Sequence, residues 1–469
     1  MTENKKLFID NGGQVNFLIE GDNLAALQLL LKTHKGKIDV IYIDPPYNRG
    51  DKDFIYDDNY IDKNDTFRHS KYCSFFKKRI EIAFKLLSNI GTIFISCDDN
   101  EQATIKLICD TIFNEQNIEG HIHWRRRHNQ PNDKTKLIGL VTEHILVYAR
   151  DSIKLKKFGV GKVALTGTFS NPDNDSRGVW ASKPWKAGSN QSGTRYKITT
   201  PTGKVYNEEW LGDENTYNKL LKDTRIIFPK NGNGSPRKKY FRYEREEEGQ
   251  CATNWFPSDI FGNNQVATDE LKQLFSGDCP FENPKPTELI KAIINLGSIK
   301  KDAIILDYFA GSGTTGHAVM KLNNEDNGKR KYILCTNNEN NICRDVTYER
   351  IKRVIKKENY PASLKYYKID YIPINEKIYY EYADELLEHI RELVELENAI
   401  NFIGNDKIPI ILTDEEMDDF LINIRKHKNC KKLYRSHNVL VSGNQAEALK
   451  SAGIKTIVIP DYYYGELGI

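Results

Sequence analysis

The six residues Ile38-Asp39-Val40-Ile41-Tyr42-Ile43 are almost wholly apolar, and they stop at Asp44-Pro45-Pro46-Tyr47. A strand of that composition suits burial on both faces, which is the setting of a parallel sheet covered by helices. The flanking sequence alternates in the same way. Residues 15–20 read as a strand, 23–35 as a helix with leucines at helical spacing, 75–89 as a helix and 91–96 as a strand. Residues 118–124 and 142–149 read as a strand pair joined by a polar loop. This rhythm predicts an α/β fold, a doubly wound and mostly parallel sheet with an antiparallel edge.

The texture changes from about residue 151 to 255. Gly, Asn, Lys, Tyr and Trp become frequent there, with Trp180, Trp185, Trp210 and Trp255 in or beside the stretch, and long helical patterns vanish. The α/β rhythm then returns, with a helix over 286–294, a strand over 303–308, a helix over 314–322 and a strand over 331–336. A long helix over 378–401 leads into a small α/β tail with strands near 408–412, 438–441 and 455–459. At 469 residues the chain is expected to hold two to four domains, here divided as 1–150, 151–255, 256–365 and 366–469.

Bulk properties narrow the function classes. The net charge is only +3, so contact with nucleic acid has to come from local basic patches. No apolar run approaches the roughly 20 residues of a membrane helix, and Met1-Thr2-Glu3-Asn4-Lys5-Lys6 lacks the apolar core of a signal peptide. The eight cysteines show no paired spacing, which argues against a zinc site or a disulfide framework. A reducing cytosol, and no bound metal, are the expectation.

Asp44-Pro45-Pro46-Tyr47 offers a carboxylate, a rigid turn with free carbonyls and an aromatic plate. An exocyclic amine on a base is a poor nucleophile because its lone pair is delocalised into the ring. Hydrogen bonds from its two protons to Asp44 and to the Pro45 carbonyl would turn the nitrogen toward tetrahedral geometry, while Tyr47 stacks on a flipped base. The plainer reading is a turn that closes a strand. A position just past a buried strand favours the first reading, since sites in such sheets lie beyond the carboxyl ends of strands.

The second motif is Asp307-Tyr308-Phe309-Ala310-Gly311-Ser312-Gly313-Thr314-Thr315-Gly316, which follows one strand and opens a helix. Glycines 311, 313 and 316 have G-x-G-x-x-G spacing, so backbone can approach a ligand closely at a helix N-terminus. A nicotinamide dehydrogenase loop and a plain strand-to-helix turn share that pattern. No Gly-Lys-Ser/Thr occurs, which excludes a phosphate P-loop of the usual type. Asp22, in Gly21-Asp22-Asn23-Leu24, could accept a bond from a purine amine or simply cap a helix. Lys285-Pro286 precedes a helix, and Glu339 lies past the strand ending at Thr336, where an acid that binds ribose often sits.

Three clusters mix cations with aromatic groups: Trp124-Arg125-Arg126-Arg127-His128, Lys183-Pro184-Trp185-Lys186 and Arg237-Lys238-Lys239-Tyr240-Phe241-Arg242-Tyr243. Arg125, Arg126, Arg127, Lys183, Lys186, Lys238 and Lys239 are the candidate phosphate contacts, against the alternative of solvated faces.

With these residues in view, the chain resembles the modification subunits of type III restriction–modification systems, β-group adenine-N6 DNA methyltransferases. The resemblance rests on Gly21-Asp22-Asn23-Leu24, Asp44-Pro45-Pro46-Tyr47-Asn48, Gly91-Thr92-Ile93-Phe94-Ile95-Ser96, Glu143-His144-Ile145-Leu146-Val147-Tyr148, Lys285-Pro286 and Phe309-Ala310-Gly311-Ser312-Gly313-Thr314, in that order. It implies a methyltransferase fold of permuted motif order, built on a seven-stranded sheet in which the strands before Asp44 and Phe309 are neighbours. The 151–255 insertion would be the target-recognition domain. S-adenosylmethionine would lie against Asp307, Phe309, Ala310, Gly311, Gly313 and Thr314, with Lys285 near its methionine end, Asp22 at its adenine and Glu339 at its ribose.

Asp44, Pro45, Pro46 and Tyr47 would carry transfer to N6 of a flipped adenine in double-stranded DNA. A homodimer and a restriction subunit with helicase and nuclease activity are the implied partners. Tyr308 stands where the family commonly has proline, and the tail is short for such subunits. Cytosine-N4 methylation, RNA or protein-glutamine methylation, and a DNA-binding specificity subunit without activity are the rival readings.

Overall fold

The computed structural model describes residues 1–50, 55–56, 59–60, 62, 64–129, 134–135, 137–163, 165, 167–371, 390–399, 408–427, 429–436 and 439–459. They form two units, one of Met1–Gly161 with Thr253–Ile469 and the other of Lys162–Ala252.

The larger unit is organised by a ten-stranded sheet. Its strands in chain order are β1 (Thr2–Glu3), β2 (Gln14–Glu20), β3 (Ile38–Ile43), β4 (Leu87–Cys97), β5 (Ile118–Arg125), β6 (Thr142–Ala149), β7 (Trp255–Phe256), β8 (Ile304–Asp307), β9 (Lys331–Thr336) and β10 (Ala362–Lys368). Across the sheet they run β1-β10-β2-β9-β8-β3-β4-β6-β5-β7. The six strands from β10 to β4 are mutually parallel, while β6 is antiparallel to both β4 and β5. All six residues of β3 are buried, as its composition demands.

The crossovers are helical: α1 (Asn23–His34), α2 (Arg68–Leu86), α3 (Gln102–Phe113), α4 (Thr287–Gly297), α5 (Thr314–Asp326) and α6 (Glu349–Glu358). Residues Ala26, Leu27 and Leu30 of α1 and Tyr72, Phe76, Ile80 and Ala83 of α2 pack on Ile41, Ile43, Ile93 and Ile95 in one continuous core. The mostly parallel α/β sheet was expected from the alternation of apolar runs.

Several details differ from the reading by sequence. The sheet has ten strands rather than seven, because β1, β10 and β7 extend it at its two sides. β10 was missed since Ala-Ser-Leu-Lys-Tyr-Tyr-Lys looks half polar. Its buried Lys365 is neutralised by Glu395 at 2.6 Å and Glu3 at 3.2 Å. The helix placed at 75–89 begins earlier and stops at Leu86, and the chain passes directly into β4. Gly91 is needed there: a Cβ on it would lie 2.8 Å from the Ile38 carbonyl oxygen.

In the tail, a parallel three-stranded sheet joins Ile410–Ile411, Lys432–Arg435 and Lys455–Val458. The strand expected near 438–441 is therefore the earlier Lys432–Arg435, whose Leu433 and Tyr434 are buried. Of the helix expected over 378–401, Ile390–Asn398 is helical, and 378–389 with 400–401 lie outside the described residues.

Lys162–Ala252 has its own small core of Trp185, Ile198, Trp210, Tyr217 and Ile226. An antiparallel hairpin of Thr194–Thr199 and Val205–Trp210 packs there, beside a three-stranded sheet ordered Ile226–Ile227, Arg237–Phe241, Trp180–Pro184. Among the described residues no helix is long and apolar enough to cross a membrane, and the eight cysteines are free.

Candidate active site

β3 and β8 are neighbours although some 260 residues separate them in sequence, with Ile305 opposite Val40 and Leu306 opposite Ile41. Two loops therefore leave the carboxyl edge of the sheet side by side, Asp44–Tyr47 after β3 and Tyr308–Gly313 after β8. β4 lies beyond β3 and β9 beyond β8, so the crevice falls where the winding of the sheet reverses, the general location of ligand sites in such folds. A cleft of about 870 Å³ opens there. Asp44, Pro45, Pro46, Lys285, Asp307, Phe309, Ala310, Gly311, Thr314, Asp22 and Glu339 all line it.

The glycine loop is held from behind. Asp307 accepts the Phe309 amide on Oδ1 (3.0 Å) and the Thr315 hydroxyl on Oδ2 (2.6 Å), which fixes the turn out of β8. Gly311 has φ +47°, and a Cβ there would sit 2.8 Å from the Phe281 ring. Gly313 lies outside the lining and packs on Thr347. The fully buried Arg350 donates to Ser312 Oγ (3.1 Å), Thr314 Oγ1 (2.7 Å) and Thr287 Oγ1 (3.3 Å), tying the loop to the start of α4. Burial pushes the Asp307 carboxyl up to about 7, aided by the nearby Asp44 charge and opposed by its hydrogen bonds and by Lys285.

At the tetrapeptide both Asp44 oxygens are engaged. The Tyr47 hydroxyl lies 2.6 Å from Oδ1, and Lys285 Nζ donates to Oδ2 at 2.6 Å. Lys285 also donates to the Tyr47 hydroxyl at 3.0 Å and pairs with Glu143 Oε2 at 3.3 Å. Arg126 closes the network from the far side, 3.4 Å from Glu143 Oε1. Burial works against the Lys285 ammonium, but the Asp44 and Glu143 carboxylates outweigh it and hold its pKa above the ordinary value. The result is a nearly neutral, desolvated cluster of two cations and two carboxylates around one phenol. Burial, then Asp44 and Glu143, push the Tyr47 phenol far up, so it stays a donor.

Several expected positions look different in three dimensions. Lys285 reaches Asp44 itself, so its place is at the tetrapeptide. Tyr47 does not line the cleft, and Arg49 stands over its ring at 4.9 Å. Asp22 does cap α1, accepting the Ala25 amide at 3.0 Å, and its second oxygen pairs with Arg79 at 3.3 Å while facing the cleft. Glu20, the other acid at this edge, is occupied by Arg344 and Tyr366, while Glu339 lines the cleft from the 337–340 side.

The basic clusters divide. Lys239 is 2% exposed and paired with Asp173 and Asp175, so it is a buried structural cation, and the expectation that it contacts phosphate is corrected. The cause is its inward place on the central strand of a small sheet. Lys186 pairs with Glu208 at 2.8 Å, and Lys183 and Lys238 both lie over the Tyr240 ring. Arg125 donates to the carbonyls of Arg127 and His128, while Arg126 faces Glu143. Glu143, Arg350, Arg79 and Phe281 were missed as contributors. For Glu143 the signal was its place at the start of a strand among predicted edge strands.

Residues 38–392 match the model of a family described as DNA methylase. The chain belongs to the DNA methylase family. A type II methyltransferase, M.KpnI of Klebsiella pneumoniae, is 31% identical over 75% of this chain and 90% of its own. The type III modification subunit StyLTI Mod of Salmonella typhimurium is 37% identical over 76% of this chain and 59% of its own. EcoP15I Mod of Escherichia coli is 29% identical over 77% and 66%. The chain thus spans about three fifths to two thirds of the length of these type III relatives.

As a methylase of this family it takes S-adenosylmethionine, and the lining suits that molecule. Aromatic Phe309, Phe281 and Phe75 offer apolar faces for a purine, while Asp22, Glu339, Asp307 and Asp44 surround the cleft with acids that suit a cationic ligand with a ribose diol.

Proposed function

We propose that this methylase transfers a methyl group from S-adenosylmethionine to N6 of a flipped-out adenine in double-stranded DNA, as the modification subunit of a type III restriction–modification system. The observation that carries the proposal is the pairing of β3 with β8, which brings Asp44-Pro45-Pro46 and the glycine loop to one cleft. The type III reading is supported by the likeness to StyLTI Mod and EcoP15I Mod. A restriction subunit and a second copy of this chain are the proposed partners, a reducing cytosol the proposed setting, and the 162–252 unit the proposed reader of DNA sequence.

When bound, the cofactor supplies an electrophilic methyl group on a sulfonium that departs with the bonding electron pair. The chain supplies alignment and hydrogen bonding. Asp44 accepts one proton of the target amine and the Pro45 carbonyl the other, which turns the nitrogen lone pair toward the methyl carbon. For that to happen an oxygen of Asp44 has to exchange one of its present partners, Tyr47 or Lys285, for the amine. Whichever of the two remains holds the carboxylate aimed at the amine. The proton lost by the methylated nitrogen passes to Asp44 and on to solvent.

Asp44→Ala tests this: methylation of duplex DNA should fall by about 10³-fold or more, while calorimetry still detects cofactor binding of near-normal affinity. Near-normal methylation would sink the assignment. Nucleoside analysis of the methylated product should show N6-methyldeoxyadenosine, and N4-methyldeoxycytidine in its place would overturn the adenine reading.

A further inference from the structure

β5 and β6 pair antiparallel with His123 opposite His144 and His121 opposite Leu146. Side chains alternate along a strand, so His121 and His123 share one face and His144 joins them across the ladder. The three rings form a triangle, with centroids 4.4 Å apart for His121–His123, 4.9 Å for His121–His144 and 5.4 Å for His123–His144. One nitrogen from each lies within 4.8 Å of the other two, and all three residues are half-buried. None of them lines the cleft.

We propose that His121, His123 and His144 form a binding site for a divalent transition-metal ion of the zinc class, with Asp99 as the partner that orients His144. Neutral imidazole is the donor such ions favour, and three of them leave a fourth position for solvent. Three nitrogens on one zinc ion lie about 3.4 Å apart, so the widest separation closes by side-chain rotation alone. The atoms are also arranged in the right sense. His121 Nε2 is 2.9 Å from His144 Nδ1, and His144 Nε2 is 2.9 Å from Asp99 Oδ1. A His144 that donates Nε2–H to a carboxylate presents the lone pair of Nδ1 toward the other two rings. A metal-bound histidine whose second nitrogen donates to an acid is the usual outer support of such sites.

The rival account is a plain hydrogen-bonded chain from His121 through His144 to Asp99, which binds no ion. The metal would clip β5 to β6 at the edge of the sheet and tie both to the loop after β4, where Asp98 holds Arg49 at 2.8 Å. The site lies outside the cleft lining and is independent of the methyl-transfer reading.

The test uses the full chain without a polyhistidine tag, stripped with EDTA and titrated with ZnCl2 by calorimetry and with CoCl2 by visible absorption. One ion per chain is expected, with a rise in Tm on loading. X-ray absorption of the zinc form should show nitrogen and oxygen neighbours only. His121→Gln and His144→Gln should each weaken binding by at least 100-fold, and Asp99→Asn by about 10- to 100-fold. Failure of the stripped wild-type chain to take up an equivalent of either ion overturns the proposal, whatever the variants do. So does sulfur in the metal's coordination shell, since that assigns binding to cysteine, and so does unchanged affinity in a folded His144→Gln.

Discussion

Lys285 and Lys239 are both buried beside carboxylates, one in each unit, and they serve different ends. Lys285, at the start of α4, is 7% exposed and reaches Asp44, Tyr47 and Glu143 at the floor of the cleft. Lys239, on the central strand of the sheet in Lys162–Ala252, is 2% exposed and reaches Asp173 and Asp175. Around Lys285 the charges converge on a wall of open space, and one of them belongs to the tetrapeptide. Around Lys239 they close on one another within a small module whose apolar core is a handful of residues. A buried ion pair is weak evidence of stabilisation by itself, but breaking one costs a great deal because the partner is left uncompensated. The same chemistry therefore reads as function where it faces a cleft and as architecture where it faces a sheet.

The strongest way to break this contrast is Lys285→Met. Asp44 and Glu143 would then face each other with Arg126 as the cation still paired to Glu143. kcat should fall on the order of 10²- to 10³-fold, with cofactor affinity little changed. A loss in cofactor affinity alone, with kcat intact, would return Lys285 to the methionine end of the cofactor and remove its link to Asp44.

The site was partly legible because its two halves each follow a strand that is apolar apart from Asp39, Tyr42 and the closing Asp307. Ile38–Ile43 and Ile304–Asp307 announce buried strands, and turn residues with reactive groups stand directly after each. What could not be read was the company these residues keep. Lys285 and Asp44 are 241 positions apart and meet only through the register of β3 on β8 and the start of α4. Glu143 enters the cluster through β6, which reaches β3 only across β4. For the cationic clusters sequence shows charge but not direction. Lys238 and Lys239 are adjacent, yet the alternation of the strand sends Lys239 into the module's core and Lys238 over Tyr240.

Lys239→Met probes the other side of the contrast. It leaves Asp173 and Asp175 without their shared cation, and the unfolding midpoint of the 162–252 unit should drop on the order of 10 °C. Cofactor binding in the larger unit should stay as it was. If stability is unchanged while DNA affinity falls and its salt slope shrinks by about 1, Lys239 contacts phosphate after all.

The smallest effect concerns the carboxylates. In the 162–252 unit Arg177 and Lys239 hold the Asp175 carboxyl far below its ordinary range. In the cleft, burial lifts Asp307 to about 7 despite its bonds to Thr315 and Phe309, with Asp44 raising it and Lys285 lowering it. An acid whose pKa is higher folded than unfolded binds more protons in the native state between those two values, so its contribution to stability declines as pH rises through that window. Between about pH 4 and 7 the ligand-free protein should thus lose stability relative to Asp307→Asn, which keeps groups able to bond Phe309 and Thr315. Melting both proteins from pH 5 to 8 and plotting the difference in Tm cancels the other titrating groups. The wild-type advantage should shrink by a few degrees up to about pH 7 and level off above it. A flat difference would mean that Asp307 is ionised throughout and that the cleft, like the insertion, holds its carboxylates charged.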